Sequence, residues 1–227
     1  MSNIIDLKKG LNIPISGKAA LETKKTIVPD VVAVSPLDFK GILPRLLVKE
    51  GDKVLAGSPV LADKQNIVLI GMPGSGKSTI GRQLADMTGR PFADCDAEIA
   101  RAVGMPVPDY IERYGESAFR DVETRVLHEL SRQSGTVIAT GGGAVTRRVN
   151  METLKRNGLI VLLDRPLDEL PVTKDRPLSR GRAALERLWS EREPLYRQAA
   201  DLVLPVTGTP ADTAERLAEL LHNEGVL

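Results

Sequence analysis

The chain has 227 residues, 42% of them apolar and 27% charged, and 31 basic side chains nearly cancel 30 acidic ones to leave a formal charge of +1. That balance, with no basic block, excludes a nucleic-acid footprint and an anionic membrane partner. The aliphatic runs are too short to span a bilayer, Asp6 interrupts what would be a secretory signal's apolar core, and the single cysteine, Cys95, rules out an intramolecular disulfide or a thiolate zinc cage, so the expected compartment is the cytoplasm.

Residues 1–64 hold five prolines, ten basic and seven acidic side chains and many Val and Ile, with no 3.6-residue period. Turn signals at Gly51-Asp52 and Gly57-Ser58-Pro59 mark them as a separate β-rich segment. The expected boundary lies near Lys64 to Asn66, giving domains 1–64 and 65–227.

From residue 66 short β-rich runs alternate with helical patterns, the signature of a parallel sheet covered on both faces. Five strands are predicted: Asn66 to Ile70, Phe92 to Cys95, Thr136 to Ala139, Leu159 to Leu163 and Leu202 to Leu204. Gly89, Gly104, Gly115, Gly135 and Gly158 each follow a helical stretch, where a left-handed glycine closes the last turn. A final helix runs from Pro210 to His222 with Thr209 as its N-cap. Phe119, Val122, Val126 and Leu130 form one apolar helical stripe that reads as core.

Between the first strand and its helix stands Gly71-Met72-Pro73-Gly74-Ser75-Gly76-Lys77-Ser78-Thr79, which fills the P-loop pattern in register. Its glycines let backbone N–H groups face one concavity, and the helix N-terminus adds partial positive charge, so Gly74 to Thr79 predict a triphosphate cradle. Lys77 reaches for the β and γ oxygens, and the Ser78 hydroxyl suits a magnesium ion between them.

Four further groups fall at strand ends or on nearby helices. Asp94-Cys95-Asp96 closes the second strand, and alternation along a strand puts both carboxylates on one face. Asp94 suits the magnesium through water and Asp96 the attacking hydroxyl, or else the pair is a helix cap and a solvated neighbour. Arg120, next to Phe119 of the stripe, offers a planar fork that suits a carboxylate, although pairing with Glu116 or Glu123 accounts for it as well. Gly141-Gly142-Gly143, after the third strand, allows backbone N–H groups close to a small ligand, or makes a plain turn. Asp175-Arg176-Pro177-Leu178 reads as a cover carrying a cation for the phosphoryl group, and Arg192 follows on the returning helix, or else either arginine is a surface charge. His128 and His222 read as solvated, and Cys95 carries no role.

The P-loop, Asp94-Cys95-Asp96, Gly115-Glu116-x-x-Phe119-Arg120-x-x-Glu123, Gly141 to Gly143, Arg176-Pro177-Leu178 and Arg192-x-Pro194-Leu195-Tyr196 together resemble the shikimate kinase family, in order, over residues 66–227. The resemblance implies a P-loop kinase fold of three layers around a five-stranded parallel sheet. It also implies transfer of the ATP γ-phosphoryl group to the 3-hydroxyl of shikimate, on the route to chorismate and the aromatic amino acids. By it Asp96 binds ring hydroxyls and serves as base, Arg120 and Arg192 clamp the carboxylate, and Gly141, Gly142 and Gly143 give backbone contacts. Lys77 and Arg176 stabilise the phosphoryl charge, Ser78 and Asp94 surround Mg2+, and the kinase domain works as a monomer. One departure is the stretch before Asp175, shorter than the family's usual and without its extra lid arginine, for which Lys174 is the candidate substitute.

Leu7 to Gly17 and Leu47 to Gly57 resemble the amino terminus of the A subunit of the sodium-translocating NADH:quinone reductase, which implies a partial barrel-sandwich, lipoyl-like fold up to about Lys64. No lysine stands in a Met-Lys-Met setting, so no swinging arm is implied, and the segment's partner stays open. The rival readings are another small-molecule or nucleotide kinase on the same scaffold, and a respiratory-complex module carrying a passenger kinase domain.

Overall fold

Each aliphatic residue of strand β3 (Asn66–Ile70) is buried, because alternate side chains enter two different cores. Ile67 and Leu69 pack with Ile80 and Leu84 of helix α1 (Lys77–Thr88) and with Leu217 and Leu221 of α6 (Pro210–Asn223). Val68 and Ile70 join the opposite core, built from α2 (Cys95–Val103), α3 (Val107–Ser131), α4 (Arg148–Lys155) and α5 (Arg182–Ala199). The result is three layers with a parallel sheet in the middle, as expected for the family.

Our computed structural model describes residues 44–55, 60–63, 65–171 and 182–227. Two compact units, Met1–Pro36 and Leu37–Leu227, divide the chain, and the first lies wholly outside the described residues. So do Gly57-Ser58-Pro59 and Lys174 to Leu178, including Arg176.

The sheet order is β4-β5-β3-β6-β7, with β4 at Phe92–Asp94, β5 at Val137–Ala139, β6 at Gly158–Asp164 and β7 at Leu202–Pro205. Every neighbouring pair is parallel, and Val68 sits opposite both Ile138 and Ile160. Ahead of it, β1 (Pro44–Leu46) and β2 (Leu61–Asp63) form an antiparallel pair. Among the described residues no helix is long and apolar enough to cross a membrane.

Three local expectations change. Strand β4 ends at Asp94 and α2 begins at Cys95, because the Asp94 carboxylate accepts from the N–H groups of Asp96 and Ala97 and starts a helix. Strand alternation therefore does not set Asp96; the first helical turn does. Gly115 caps nothing: at φ 84°, ψ 164° it is extended with positive φ and kinks α3. Gly158 opens β6 rather than closing a helix, and a Cβ there would stand 2.8 Å from the Leu154 carbonyl oxygen. Gly89, Gly104 and Gly135 do take positive φ, and Thr209 forms a full capping box with Asp212.

Candidate active site

The ligand end of a parallel α/β sheet lies beyond the carboxyl ends of its strands. Here those ends carry, from one edge to the other, Asp96 after β4, Gly141 to Gly143 after β5, the cradle after β3, Arg165 after β6 and Pro210 after β7. All of them line one cleft of about 740 Å³, together with Arg120, Glu123 and Arg192 from the helices above.

The cradle turns on Gly76, whose φ of 96° and ψ of 9° lie in the left-handed region that favours glycine. No side chain caps α1 and no acid occupies its first turn, so the helix end keeps its positive potential for an anion. Lys77 is buried and folds back, its Nζ donating to the carbonyls of Gly71 at 2.9 Å and Met72 at 2.8 Å. Ser78 and Thr79 are exposed on the cleft.

On the acceptor side the three glycines make close approach possible. A Cβ on Gly141 would stand 2.8 Å from Glu123 Oε1 and 3.1 Å from Asp96 Oδ1, and one on Gly142 would stand 2.7 Å from Pro73 Cδ of the cradle. On Gly143 it would overlap the Arg120 guanidinium. The triple glycine is thus the floor on which both carboxylates, the cradle and the arginine meet.

Arg120 is buried, donating from Nη1 to Glu123 Oε2 at 2.8 Å and from Nη2 to Glu116 Oε1 at 2.9 Å. Burial opposes its charge, but Glu123 and then Glu116 outweigh that and hold its proton more firmly than usual. Burial pushes the Glu123 carboxyl up, against the pull of Arg120. The pairing reading of Arg120 is what the geometry shows, and the ion pairs fix its fork at the cleft wall. Among the described residues Glu123 Oε1 has no hydrogen-bond partner, an uncommon state for a buried carboxylate oxygen. Sequence reasoning finds Glu123 only as a pairing partner. The available signal is a carboxylate four residues after Phe119, on the buried face of the stripe.

Arg192, also buried, projects from α5. One turn on, the Tyr196 hydroxyl donates to the Gly142 carbonyl and ties α5 to the glycine floor. Burial, partly offset by Arg192, pushes the Tyr196 hydroxyl up to about 12, so it stays protonated as a donor. Cys95 is buried, and burial raises its thiol well above the usual range, which fits its lack of a role. Asp94 caps α2 through Oδ1 alone, and it is not part of the cleft lining.

Residues 73–222 match the family model for shikimate kinase. The chain belongs to the shikimate kinase family. Curated shikimate kinases from Halorhodospira halophila, 41% identical over 166 residues, and from Acinetobacter baumannii strain AYE, 41% identical over 164, are among its relatives. The first alignment covers 70% of this chain and 94% of that protein, the second 69% and 91%. Among solved structures, the Acinetobacter baumannii shikimate kinase in complex with shikimate is 39% identical with a TM-score of 0.68, covering 70% of this chain and 94% of that one. The Aquifex aeolicus shikimate kinase is 32% identical with a TM-score of 0.63, covering 70% and 98%. A second match, to the NqrA N-terminal barrel-sandwich hybrid domain, spans residues 5–82. It runs past Lys64 through β3, the central strand of the parallel sheet, and through the loop that follows it.

Proposed function

We propose that the chain transfers the γ-phosphoryl group of ATP to the 3-hydroxyl of shikimate. One observation carries this reading: the phosphate cradle and a pocket with two buried arginines and two carboxylates share a single cleft. The hydroxyl oxygen attacks the γ-phosphorus, the bond to the β–γ bridging oxygen breaks, and ADP leaves with the electron pair. The hydroxyl proton passes to Asp96, the carboxylate beside the glycine floor.

Arg120 and Arg192 hold the substrate carboxylate, and Gly141, Gly142 and Gly143 present backbone to the ring. Glu123 is a positioning residue that fixes Arg120 through Oε2, with its other oxygen beside Gly141 of the glycine floor. Gly74 to Thr79 cradle the triphosphate, while Lys77 gives up its carbonyl contacts to stabilise phosphoryl charge together with Arg176. Hydroxyl and carboxylate oxygens suit a hard ion, so Ser78, with Asp94 through its second oxygen and a water, fits Mg2+. An ion held by these residues alongside ATP would supply positive charge against the phosphates. In this reading the catalytic unit is residues 65–227, a cytoplasmic monomer, and residues 1–64 take no part in the chemistry.

Coupled measurement of ADP release tests the substrate. Shikimate should exceed gluconate and nucleoside monophosphates, and preference for either rival would end the assignment. Lys77→Met should lower kcat about 100- to 1,000-fold, the scale of one preorganised charge contact.

A further inference from the structure

Arg120 and Arg192 each border two cavities. Both line the acceptor cleft, and both line a second cavity of about 450 Å³ whose other walls include Glu116, Ser117 and Glu191. Glu116 and Glu191 line this outer cavity and not the cleft. The charge of the arginine pair is therefore met from two directions, by what the cleft holds and by carboxylates of the outer cavity.

Glu116 is the outer carboxylate that touches the pair. It is the first residue after the break at Gly115, in the first turn of the segment that carries Arg120 and Glu123, a position that favours an anion. Its Oε1 accepts from Arg120 Nη2 at 2.9 Å, while Glu123 Oε2 accepts from Nη1 at 2.8 Å. The two partners differ in their surroundings, for the Glu123 side chain is fully buried and that of Glu116 is 49% exposed. Glu123 and the close approach of Gly143 already fix the guanidinium. What Glu116 adds is a second negative charge on the same cation. A carboxylate arriving from the cleft must share Arg120 with both, and like charges converging on one cation weaken each other's hold.

We propose that Glu116 tunes acceptor affinity, offsetting the Arg120 charge from the outer cavity so that the acceptor's carboxylate is held less tightly than the arginine pair would otherwise hold it. This inference rests on the carboxylate-clamp reading above. Looser ground-state binding costs nothing in kcat, because only contacts that strengthen in the transition state raise it. It also makes Glu116 a determinant of which acceptors are taken, since an uncharged analogue feels no such offset.

Glu116→Gln is the deciding variant, because the amide carbonyl still accepts from Nη2 and the charge alone is lost. In calorimetric titration of the full chain its shikimate Kd should fall about fivefold, the upper scale of a part-exposed ion contact. ADP affinity should not move, and it doubles as the control for folding. In turnover the shikimate KM should fall with kcat no higher, while kcat/KM for methyl shikimate, the uncharged ester, should match the wild type. Glu191, which lines the same cavity, is not one of the two carboxylates paired with Arg120. Glu191→Gln should therefore shift the shikimate Kd by less than about twofold. A shikimate Kd that rises or stays in Glu116→Gln, an ester that gains as much as the acid, or an equal gain in Glu191→Gln would each overturn the proposal. Unchanged shikimate affinity in Arg192→Ala would instead overturn the clamp reading, and the proposal with it.

Discussion

Gly143 has no side chain, and the position of Arg120 depends on that. Adding a single methyl would displace the guanidinium, which has two ion pairs holding it against the cleft wall. Gly143→Ala should therefore weaken shikimate binding by at least tenfold while leaving ADP affinity unchanged, a split that calorimetry reads directly. Tyr196 makes the opposite kind of contact, a hydroxyl that bridges two elements. Tyr196→Phe keeps the ring packed and removes only the bond to the Gly142 carbonyl, so urea denaturation should show a loss of about 1 kcal/mol. Neither role was legible in the residues. A triple glycine and a tyrosine four residues after an arginine say nothing of each other until α5 and β5 are packed together.

Helix ends account for much of what the elements do. Helix α6 is closed by a capping box, in which Asp212 N–H donates to Thr209 Oγ1 and Thr209 N–H donates to Asp212 Oδ2. Thr209→Ala should cost about 1 kcal/mol in denaturant unfolding. Those Thr209 bonds hold the Asp212 carboxyl below its usual range. A depressed folded pKa stabilises the fold above the unfolded carboxylate value of about 3.9 and ceases to do so as pH falls through the folded value. The gap in urea midpoint between wild type and Asp212→Asn should thus be full near neutrality and close in acid. Helix α1 lacks any such side-chain cap, and its first turn, with Lys77, Ser78 and Thr79, lines the cleft instead. Sequence reading found these ends because capping is local, governed by residues three or four apart. It brought Asp96 to the cleft by the wrong local argument for the same reason: the Asp94 cap converts the end of a short strand into a helix, and that choice belongs to three residues whose alternation fits either state.

At the scale of the molecule, Arg90 closes the kinase unit. Its guanidinium donates to the Gln65 carbonyl at 2.6 Å, just before the central strand, and to the Val226 carbonyl at 2.7 Å, near the other end of the chain. A chain starting at Gln65 keeps both partners and should melt and turn over like the full protein, whereas Arg90→Ala should lose about 2–4 kcal/mol of unfolding free energy. A marked fall in activity of the shortened chain would give the amino-terminal segment a catalytic part. The sequence by itself determined the alternation of strand and helix, the phosphate cradle and the family, because these depend on period, caps and ordered motifs read along the chain. Only the tertiary structure decided that Glu123 flanks the glycine floor, that Tyr196 ties α5 to it and that Arg165 lines the same cleft. Those relations join residues tens of positions apart through strand order, and strand order is set by the packing of two cores, which no local pattern encodes.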